Sequence, residues 1–336
     1  MKPIFLSPDF VVPPRPAKPF FSPHDAFLRL PPPGAAARDE VPDLDMSDFD
    51  VVSVLHDGFY DSVHKVRLRH AAAADVAARS YALKIPYFED ILTTDEAATS
   101  LLRRVDGLDN VVRCHAVFRG HESSHVRSTL FELMNGGSLE RVMDCHGGER
   151  MPEAAVAEVA ASCLTALEGI HSLGVVHLNL TPSNILADDD GNVKICDFTM
   201  ARLIPPPGPE SFVFLGGEGL SLAYLSPERR SPMAMAGTRG AWAADVWSLG
   251  VVVAELCLGY RPHSSQVDDG GEVLDGVEFA SVEMRGFVSA CLQKCVCTRA
   301  TVAQLLNHPF VADRDAVESR RVLKEFVVST MEEEDY

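Results

Sequence analysis

Three short stretches of the sequence carry polar side chains that could take part in chemistry. They read "YALKI" at 81–85, "HLNLTPSNIL" at 177–186 and "KICDFTMA" at 194–201. The polar groups of the middle stretch include the amides of Asn179 and Asn184, and it contains no carboxylate. A neutral amide accepts a hydrogen bond but cannot take up a proton at neutral pH. Asn179 and Asn184 can therefore orient a ligand, or simply form a turn, without supplying a general base.

The segments around these stretches predict a β-rich half followed by a helical half. Between residues 48 and 134, apolar alternation and a turn at Asp57–Gly58 predict five strands, with one helix in "TTDEAATSLLRRV". After Gly136–Gly137, apolar spacing predicts a long amphipathic helix in 151–174 and a buried helix in 245–259. The last clear helices are predicted in "FVSACLQKC" and "TVAQLLNHPF".

Both ends of the chain differ in composition from this central part. Residues 1–45 contain 11 of the 22 prolines, which predicts a disordered or polyproline tail. The acidic run from Glu332 to Asp335 predicts a solvated tail over 326–336. We therefore divide the chain into a tail at 1–45, a β-rich lobe at 46–134, a helical lobe at 135–325 and the acidic tail.

The charge balance limits the partners that this chain can bind. Acidic residues outnumber basic ones 48 to 30, a formal net charge of −18 at pH 7. Because nucleic acids and anionic membrane surfaces are also negatively charged, the sequence predicts neither as a partner. The sequence contains no run of about 18 apolar residues, so it predicts no membrane span. Prolines interrupt the apolar runs near the start of the chain, so it predicts no signal-peptide core. The prediction is a protein of the cytoplasm or the nucleus.

The eight cysteines show no C-x-x-C pair. Cys295 and Cys297 form C-x-C without a second cysteine or histidine pair nearby. This pattern predicts reduced, mostly buried thiols rather than a zinc site or a disulfide.

The order of the motifs resembles that of protein kinases. "YALKI" resembles the strand that carries the ATP-contacting lysine, "HLNLTPSNIL" the catalytic loop, "KICDFTMA" the D-F-G segment and "YLSPER" the A-P-E segment. "DVWSLG" and the closing "NHPF" follow in the same order. "LLRRVDGLDNVVRCHAVF", "LMNGGSLERV" and "AYLSPER" are similar to MAP kinase kinases, especially those of plants. The resemblance covers about residues 48–312.

This resemblance implies an α+β, bilobal protein-kinase fold, with a small β-rich N-lobe containing one main helix and a larger α-helical C-lobe. It also implies ATP and Mg²⁺ as cofactors. The implied nucleotide-binding positions are Gly58, Val63, Ala82, Lys84, Glu132, Met134 and Leu186. The implied magnesium ligands are Asn184 and Asp197, and the implied structural residues are His177, Phe198, Glu228, Asp245 and Arg299, with Glu228 and Arg299 as a buried ion pair.

The catalytic loop departs from the family pattern at three charged positions. Asn179 replaces the catalytic base, Thr181 replaces the lysine that neutralises the transferred phosphoryl group, and Leu178 replaces an arginine. Each replacement removes a charge, so the loop keeps its shape-determining residues and loses its chemistry.

The parts that position ATP are altered as well. The glycine-rich loop keeps only Gly58, and Asp61 adds a negative charge that should repel phosphate. Ala98 stands where a helix glutamate normally orients Lys84, while Glu96 should face another side of the helix. Thr199 replaces the glycine of D-F-G. We predict weak, metal-dependent nucleotide binding.

The activation segment, residues 197–228, contains few hydroxyl groups. Ser211 and Ser221 are the candidate phosphorylation sites, and Pro205–Pro206–Pro207 replaces polar sequence. The chain is therefore interpreted as a MAP kinase kinase-like pseudokinase, a scaffold or regulator whose partners are a MAP kinase, an upstream kinase or both. Two alternatives remain open: a divergent dual-specificity kinase, and an interaction module that binds no nucleotide.

Overall fold

The N-terminal part of the protein is built on one six-stranded antiparallel sheet. The computed structural model describes residues 26–29, 48–58, 61–69, 80–87, 95–119, 126–204, 212–214, 222–230, 235–262 and 280–332. The strands are β1 (Ala26–Arg29), β2 (Phe49–Asp57), β3 (Asp61–Leu68), β4 (Ser80–Pro86), β5 (Cys114–Arg119) and β6 (Val126–Glu132). Their order across the sheet is β1-β5-β6-β4-β3-β2.

Alternation along the central strands gives this sheet two different faces. In β3, Ser62, His64 and Val66 are buried, whereas Asp61 and Val63 lie on the other face. The buried face packs a cluster that includes Val66, Leu83 and Phe118. Val63 is paired directly with Lys84, so Asp61, Val63 and Lys84 point to the same side of the sheet.

One helix, α1 (Asp95–Val105), joins β4 to β5. Its residues Leu101 and Val105 are buried in the same cluster as the helices of the C-terminal part. The five strands and one helix predicted for residues 48–134 are therefore confirmed.

The C-terminal part is mainly helical. Its helices are α2 (Leu139–Cys145), α3 (Glu153–Ser172), α4 (Thr238–Leu258), α5 (Val282–Cys291), α6 (Val302–Leu306), α7 (Pro309–Ala312) and α8 (Ala316–Glu332). Segments Glu153–Ser172 and Arg239–Leu258 are long and apolar enough to cross a membrane, but 72% and 94% of their apolar windows are buried inside the protein. Burial of this kind is what the central helices of a folded core show, and the two bear out the predicted long and buried helices.

Short strands connect these helices near the site. They are β7 (Gly137–Ser138), β8 (Val175–Val176), β9 (Ile185–Ala187), β10 (Val193–Ile195), β11 (Arg202–Leu203), β12 (Phe212–Phe214) and β13 (Met235–Gly237). β9 pairs with both β10 and β7, and β8 pairs with β11. These pairings place the loop between β8 and β9 beside the turn that follows β10.

Three expectations from the sequence need correction. The tail predicted at 1–45 contains β1, which pairs with β5, while residues 1–25 and 30–45 lie outside the described part. The boundary predicted at 325/326 falls inside α8, because the apolar residues Phe326 and Val327 are buried against the helical core. The predicted reduced thiols include one pair that is joined: Cys295 and Cys297, with Cα atoms 5.3 Å apart, form a disulfide.

Helix α8 packs behind the connection between the two lobes. The His146 ring stacks on Phe326 with centroids 3.8 Å apart, and a ring nitrogen of His146 donates to the Phe326 carbonyl oxygen at 2.9 Å. Val327 lies so close to Gly136 that a Cβ there would be 2.4 Å from Val327 Cγ1. The end of the chain thus fixes the segment that leads from β6 into α2.

Replacing His146 with alanine should lower the free energy of unfolding by about 1–3 kcal/mol, because a ring stack and a hydrogen bond are lost together. Chemical denaturation measures this loss. Arg321→Ala serves as the matched control, since Arg321 lies on the exposed side of α8 and its ion pairs with described residues are to Glu318 and Glu325 of the same helix. Equal destabilisation by both variants would contradict this role of His146.

Candidate active site

The loop that carries Asn179 is held in place by a buried carboxylate from α4. Asp245 is fully buried and accepts hydrogen bonds from the backbone amides of His177, at 2.9 Å, and Leu178, at 2.8 Å. The His171 ring donates a third bond at 2.9 Å. Burial would raise the pKa of Asp245, but the hydrogen bond and charge of His171 outweigh it and lower that pKa. Asp245 therefore stays ionised and anchors the loop, as predicted.

Two aromatic side chains predicted to pack at the base of the site do meet. The His177 and Phe198 rings lie 5.0 Å apart in an edge-on arrangement, and both residues are buried. His177 Nε2 donates to the Cys196 carbonyl oxygen at 2.9 Å. Burial lowers the pKa of His177, so the ring is neutral and structural.

Asn179, Asn184 and Asp197 come together from three sides. Asn184 Nδ2 donates to the Asn179 carbonyl oxygen at 2.8 Å. Asn179 Nδ2 reaches Asp197 Oδ2 at 3.4 Å. The amide at position 179 is therefore a hydrogen-bond donor to Asp197 in this arrangement, a role that a carboxylate could not take.

Lys84 is held between two carboxylates. Its Nζ lies 3.0 Å from Asp197 Oδ1 and 3.1 Å from Asp61 Oδ2. Burial would lower the pKa of Lys84, but the charges of Asp197 and Asp61 outweigh it and raise that pKa. The sequence predicts a less well oriented Lys84 because the helix glutamate is absent, and in the structure Asp61 reaches Lys84 from across the sheet instead. Ala98 lies in α1, and its side chain is outside the described part.

Asp197 is engaged by protein donors at both of its carboxylate oxygens. Oδ1 accepts from Lys84 and also from the Thr199 hydroxyl at 2.9 Å, while Oδ2 faces Asn179. Burial would raise the pKa of Asp197, but Lys84 and Thr199 outweigh it and lower that pKa. The carboxylate is thus ionised and already satisfied within the chain.

Magnesium takes oxygen ligands, which Asn184 and Asp197 could supply. Oδ2 of Asp197 accepts one bond, at 3.4 Å, and an ionised carboxylate oxygen has two lone pairs, so these residues fit the ion. Within the described ranges there is no cluster of three or more His, Cys, Asp or Glu side chains that could hold a metal. The predicted ligands are adjacent, and they would supply one amide oxygen and one carboxylate oxygen to Mg²⁺.

The hairpin between β2 and β3 is closed on itself at Gly58. The Gly58 amide donates to the Asp61 carbonyl oxygen at 2.9 Å. A Cβ at position 58 would be 2.6 Å from His56 Nε2, so the histidine side chain fills the space beside the glycine. A phosphate-binding loop needs amides that point at the ligand, and the Gly58 amide is used inside the hairpin.

The apolar side chains predicted to contact the nucleotide lie on β3 and β4, after β6 and in β9. Val63 and Ala82 are half-buried on the face of the sheet that carries Lys84, Met134 is buried, and Leu186 is half-buried in β9. The Glu132 carboxylate binds Lys194 Nζ at 2.6 Å and also accepts from the Arg113 amide. The side chain of Glu132 is therefore structural.

The ion pair predicted between Glu228 and Arg299 is present. Arg299 Nη1 and Nη2 bond the two carboxylate oxygens of Glu228 at 2.6 and 3.0 Å. Arg299 also donates to the carbonyl oxygens of Ala243 and Gln293 and lies over the Trp247 ring. This one side chain connects the segment after Tyr224 to α4 and to the turn before α6.

Arg229 is a residue that the sequence analysis missed. It is only 1% exposed, and its Nη1 donates to the Leu178 carbonyl oxygen at 2.7 Å. Burial lowers the pKa of Arg229 to about 10, partly opposed by the charge of Asp245. Leu178 has a φ of +62°, a conformation that favours glycine, and it is held there by the bond from its amide to Asp245 and by the bond from Arg229 to its carbonyl oxygen. Arg229 thus helps to fix the backbone of the loop that carries Asn179.

The remaining predicted residues contribute less. The Thr181 hydroxyl is 2.8 Å from that of Ser183, on the outer side of the loop. Ser211 and Ser221 lie outside the described residues.

Comparison with known proteins agrees with this architecture. Residues 69–311 match the family described as "Protein kinase domain". The chain is similar to mitogen-activated protein kinase kinase 9 of Arabidopsis thaliana, 32% identical over 79% of this chain and 85% of the relative. It is also 32% identical to mitogen-activated protein kinase kinase 10 of the same plant, over 80% of this chain and 86% of the relative. Mitogen-activated protein kinase kinase kinase 20 of that plant is 31% identical over 64% of this chain and 66% of the relative.

Proposed function

The chain belongs to the protein kinase domain family and has MAP kinase kinase homologues, and we propose that it acts as a pseudokinase in MAP kinase signalling. In this role it binds a MAP kinase, an upstream kinase or both, and serves as a scaffold or regulator without transferring phosphate. The net charge of −18 supports protein partners over nucleic acids or anionic membranes, and the cytoplasm or nucleus as its location.

One observation carries this proposal: the position of the catalytic base holds an amide that already donates to Asp197. Asn179 cannot take up the proton of a substrate hydroxyl. The carboxylate nearest to position 179 is that of Asp197, and its lowered pKa makes it a weak base. Its oxygens also accept hydrogen bonds from Lys84, Thr199 and Asn179. The loop therefore keeps its fold and lacks a group that accepts the proton.

A second candidate function is a divergent dual-specificity kinase of low activity. It is favoured by Lys84 and Asp197, which lie 3.0 Å apart, because in kinases the matching lysine contacts the ATP phosphates and the matching aspartate holds Mg²⁺. A third candidate, an interaction module that binds no nucleotide, is favoured by the closed hairpin at Gly58. We propose that nucleotide binding is weak, because the ion pairs around Lys84 must open before phosphate can enter.

Phosphate transfer from radiolabelled ATP to a purified MAP kinase separates the first two functions. We expect no incorporation above that of the Asp197→Asn variant, together with measurable binding of the MAP kinase or of an upstream kinase in titration calorimetry. The Asp197→Asn variant is the matched control, because it removes the one carboxylate that could serve in transfer and so reports contaminating kinases.

Robust incorporation by the wild type that disappears in the Asp197→Asn variant would establish the dual-specificity kinase instead. Absence of both incorporation and kinase binding would remove the scaffold role. Nucleotide binding is measured separately and decides between the first and third functions.

A further inference from the structure

We propose that the carboxylate of Asp61 takes the place beside Lys84 that a phosphate group of ATP would otherwise take. The cleft therefore accepts an uncharged nucleoside in preference to its triphosphate. This inference rests on the proposed kinase-type cleft and names the class of ligand that this cleft takes. The observation that carries it is the contact between Asp61 Oδ2 and Lys84 Nζ at 3.1 Å.

The sheet register makes this contact a fixed feature of the fold. Asp61 is paired with Pro86 across β3 and β4, and Lys84 lies two residues before Pro86 on the same face. Diagonal neighbours at this spacing are within reach of a long side chain. Lys84 is 22% exposed and Asp61 is 19% exposed, so the pair is shielded from much of the solvent. Shielding strengthens the attraction between the two charges.

The charge balance around Lys84 disfavours a polyanion. One lysine is flanked by two carboxylates, Asp61 and Asp197, so the three side chains together carry one excess negative charge. A triphosphate that reaches Lys84 must displace Asp61 and leave its carboxylate without its cation, close to the incoming phosphates. Uncompensated, partly buried charge of this kind is strongly unfavourable.

The described residues of the hairpin are already engaged at the point where a phosphate would lie. The Gly58 amide is donated to the carbonyl oxygen of Asp61 itself, and the His56 ring occupies the space beside Gly58. Binding of phosphate here would therefore break the backbone bond of Asp61 as well as its ion pair.

Binding of a nucleoside does not require the bonds of Asp61 to break. The predicted walls of the cleft are the apolar side chains of Val63, Ala82, Met134 and Leu186. The carboxylate of Glu132 is already bound to Lys194 at 2.6 Å and does not need to move. A base and ribose can enter against these residues while Lys84, Asp61 and Asp197 keep their contacts.

The test is the ratio of ATP affinity to adenosine affinity in the full chain, measured by titration calorimetry with magnesium present. The variants are wild type, Asp61→Asn and Asp50→Asn. Asp50 is the matched control because it removes one negative charge from an exposed pair with Arg69 in the same sheet. We expect wild type to bind adenosine more tightly than ATP. Asp61→Asn should tighten ATP binding by roughly tenfold or more and change adenosine binding little, whereas Asp50→Asn should change neither.

An unchanged affinity ratio in Asp61→Asn, or a wild type that prefers ATP, would overturn the inference. Should Asp61→Asn fail to fold, Asp61→Ser provides the same loss of charge with a smaller side chain. If no variant binds either ligand, the cleft is not a nucleoside site and this inference fails, while the scaffold proposal still stands or falls on kinase binding alone.

Discussion

Replacing Arg299 with alanine is expected to lower the free energy of unfolding by about 3–5 kcal/mol. The Arg299 side chain is fully buried and forms both bonds to the Glu228 carboxylate. Its removal leaves that carboxylate without a cation and leaves the carbonyl oxygens of Ala243 and Gln293 without their donor. Each of these losses adds to the same effect, because all of the groups lie where water has little access.

Urea or guanidinium denaturation of wild type and Arg299→Ala measures this change. Arg239→Ala is the matched control, since Arg239 is exposed and makes one bond, to the Cys297 carbonyl oxygen. Arg299→Lys should fall between wild type and Arg299→Ala, because an ammonium keeps the charge but cannot bond both oxygens of Glu228 in the same geometry. A denaturation midpoint for Arg299→Ala equal to that of Arg239→Ala would show that the pair does not hold the segment in place.

The ion pair that the sequence predicted correctly is one whose partners lie in recognisable motifs. Glu228 and Arg299 are far apart in the chain but have fixed places in the resemblance to protein kinases. Their order along the sequence was enough to bring them together. Periodicity likewise predicted the helices α3 and α4, because long apolar patterns leave few alternatives.

The contacts of Asp61 and Arg229 were harder to predict. Asp61 was recognised as a repelling charge, but its contact with Lys84 depends on the diagonal register of β3 and β4, which residue types do not reveal. Arg229 lies in the stretch "YLSPER", but its bond to the Leu178 carbonyl oxygen joins residues that are 51 positions apart. A single sequence shows such residues separately, and only the fold shows that they are adjacent.

The ends of the chain were mispredicted for a different reason. A proline-rich composition describes the average of residues 1–45 and hides β1, four residues that gain their hydrogen bonds by pairing with β5. The acidic residues after 331 likewise hid the apolar residues of α8, which are spaced for burial against α3. Local composition cannot show that a neighbouring surface is available for packing.

Restoring two of the three lost charges of the loop is expected to leave the protein far from a working kinase. The variant Asn179→Asp with Thr181→Lys should remain more than about a thousandfold below the roughly 1–100 per second of typical kinases. An aspartate at position 179 would lie beside Asp197 Oδ2, where the amide now donates at 3.4 Å. The hydrogen bond of the amide would be lost, and two carboxylates that close repel each other when no cation lies between them, which works against the placement of both.

The remaining deficit lies in positioning, which the double variant does not repair. Lys84 is still held by Asp61, and Asp197 is still bonded to Lys84 and Thr199. Correct placement of reactants contributes about 7–11 kcal/mol to reactions of this kind, far more than proton transfer alone. Adding Asp61→Ser to the double variant frees Lys84 and should raise the rate above that of the double variant.

Initial rates of MAP kinase phosphorylation at saturating magnesium and ATP are measured for the double variant and for the double variant with Asp61→Ser. The same two variants with Asp197→Asn added give the background rates. A large gain already in the double variant would show that the ion pairs open readily and that phosphate and metal can be placed without changing Asp61. The position of Asp61 would then be a feature of the ligand-free cleft alone. A gain that requires Asp61→Ser would instead assign the loss of activity to two separate causes. One is the missing base at position 179, and the other is the ion pair between Asp61 and Lys84.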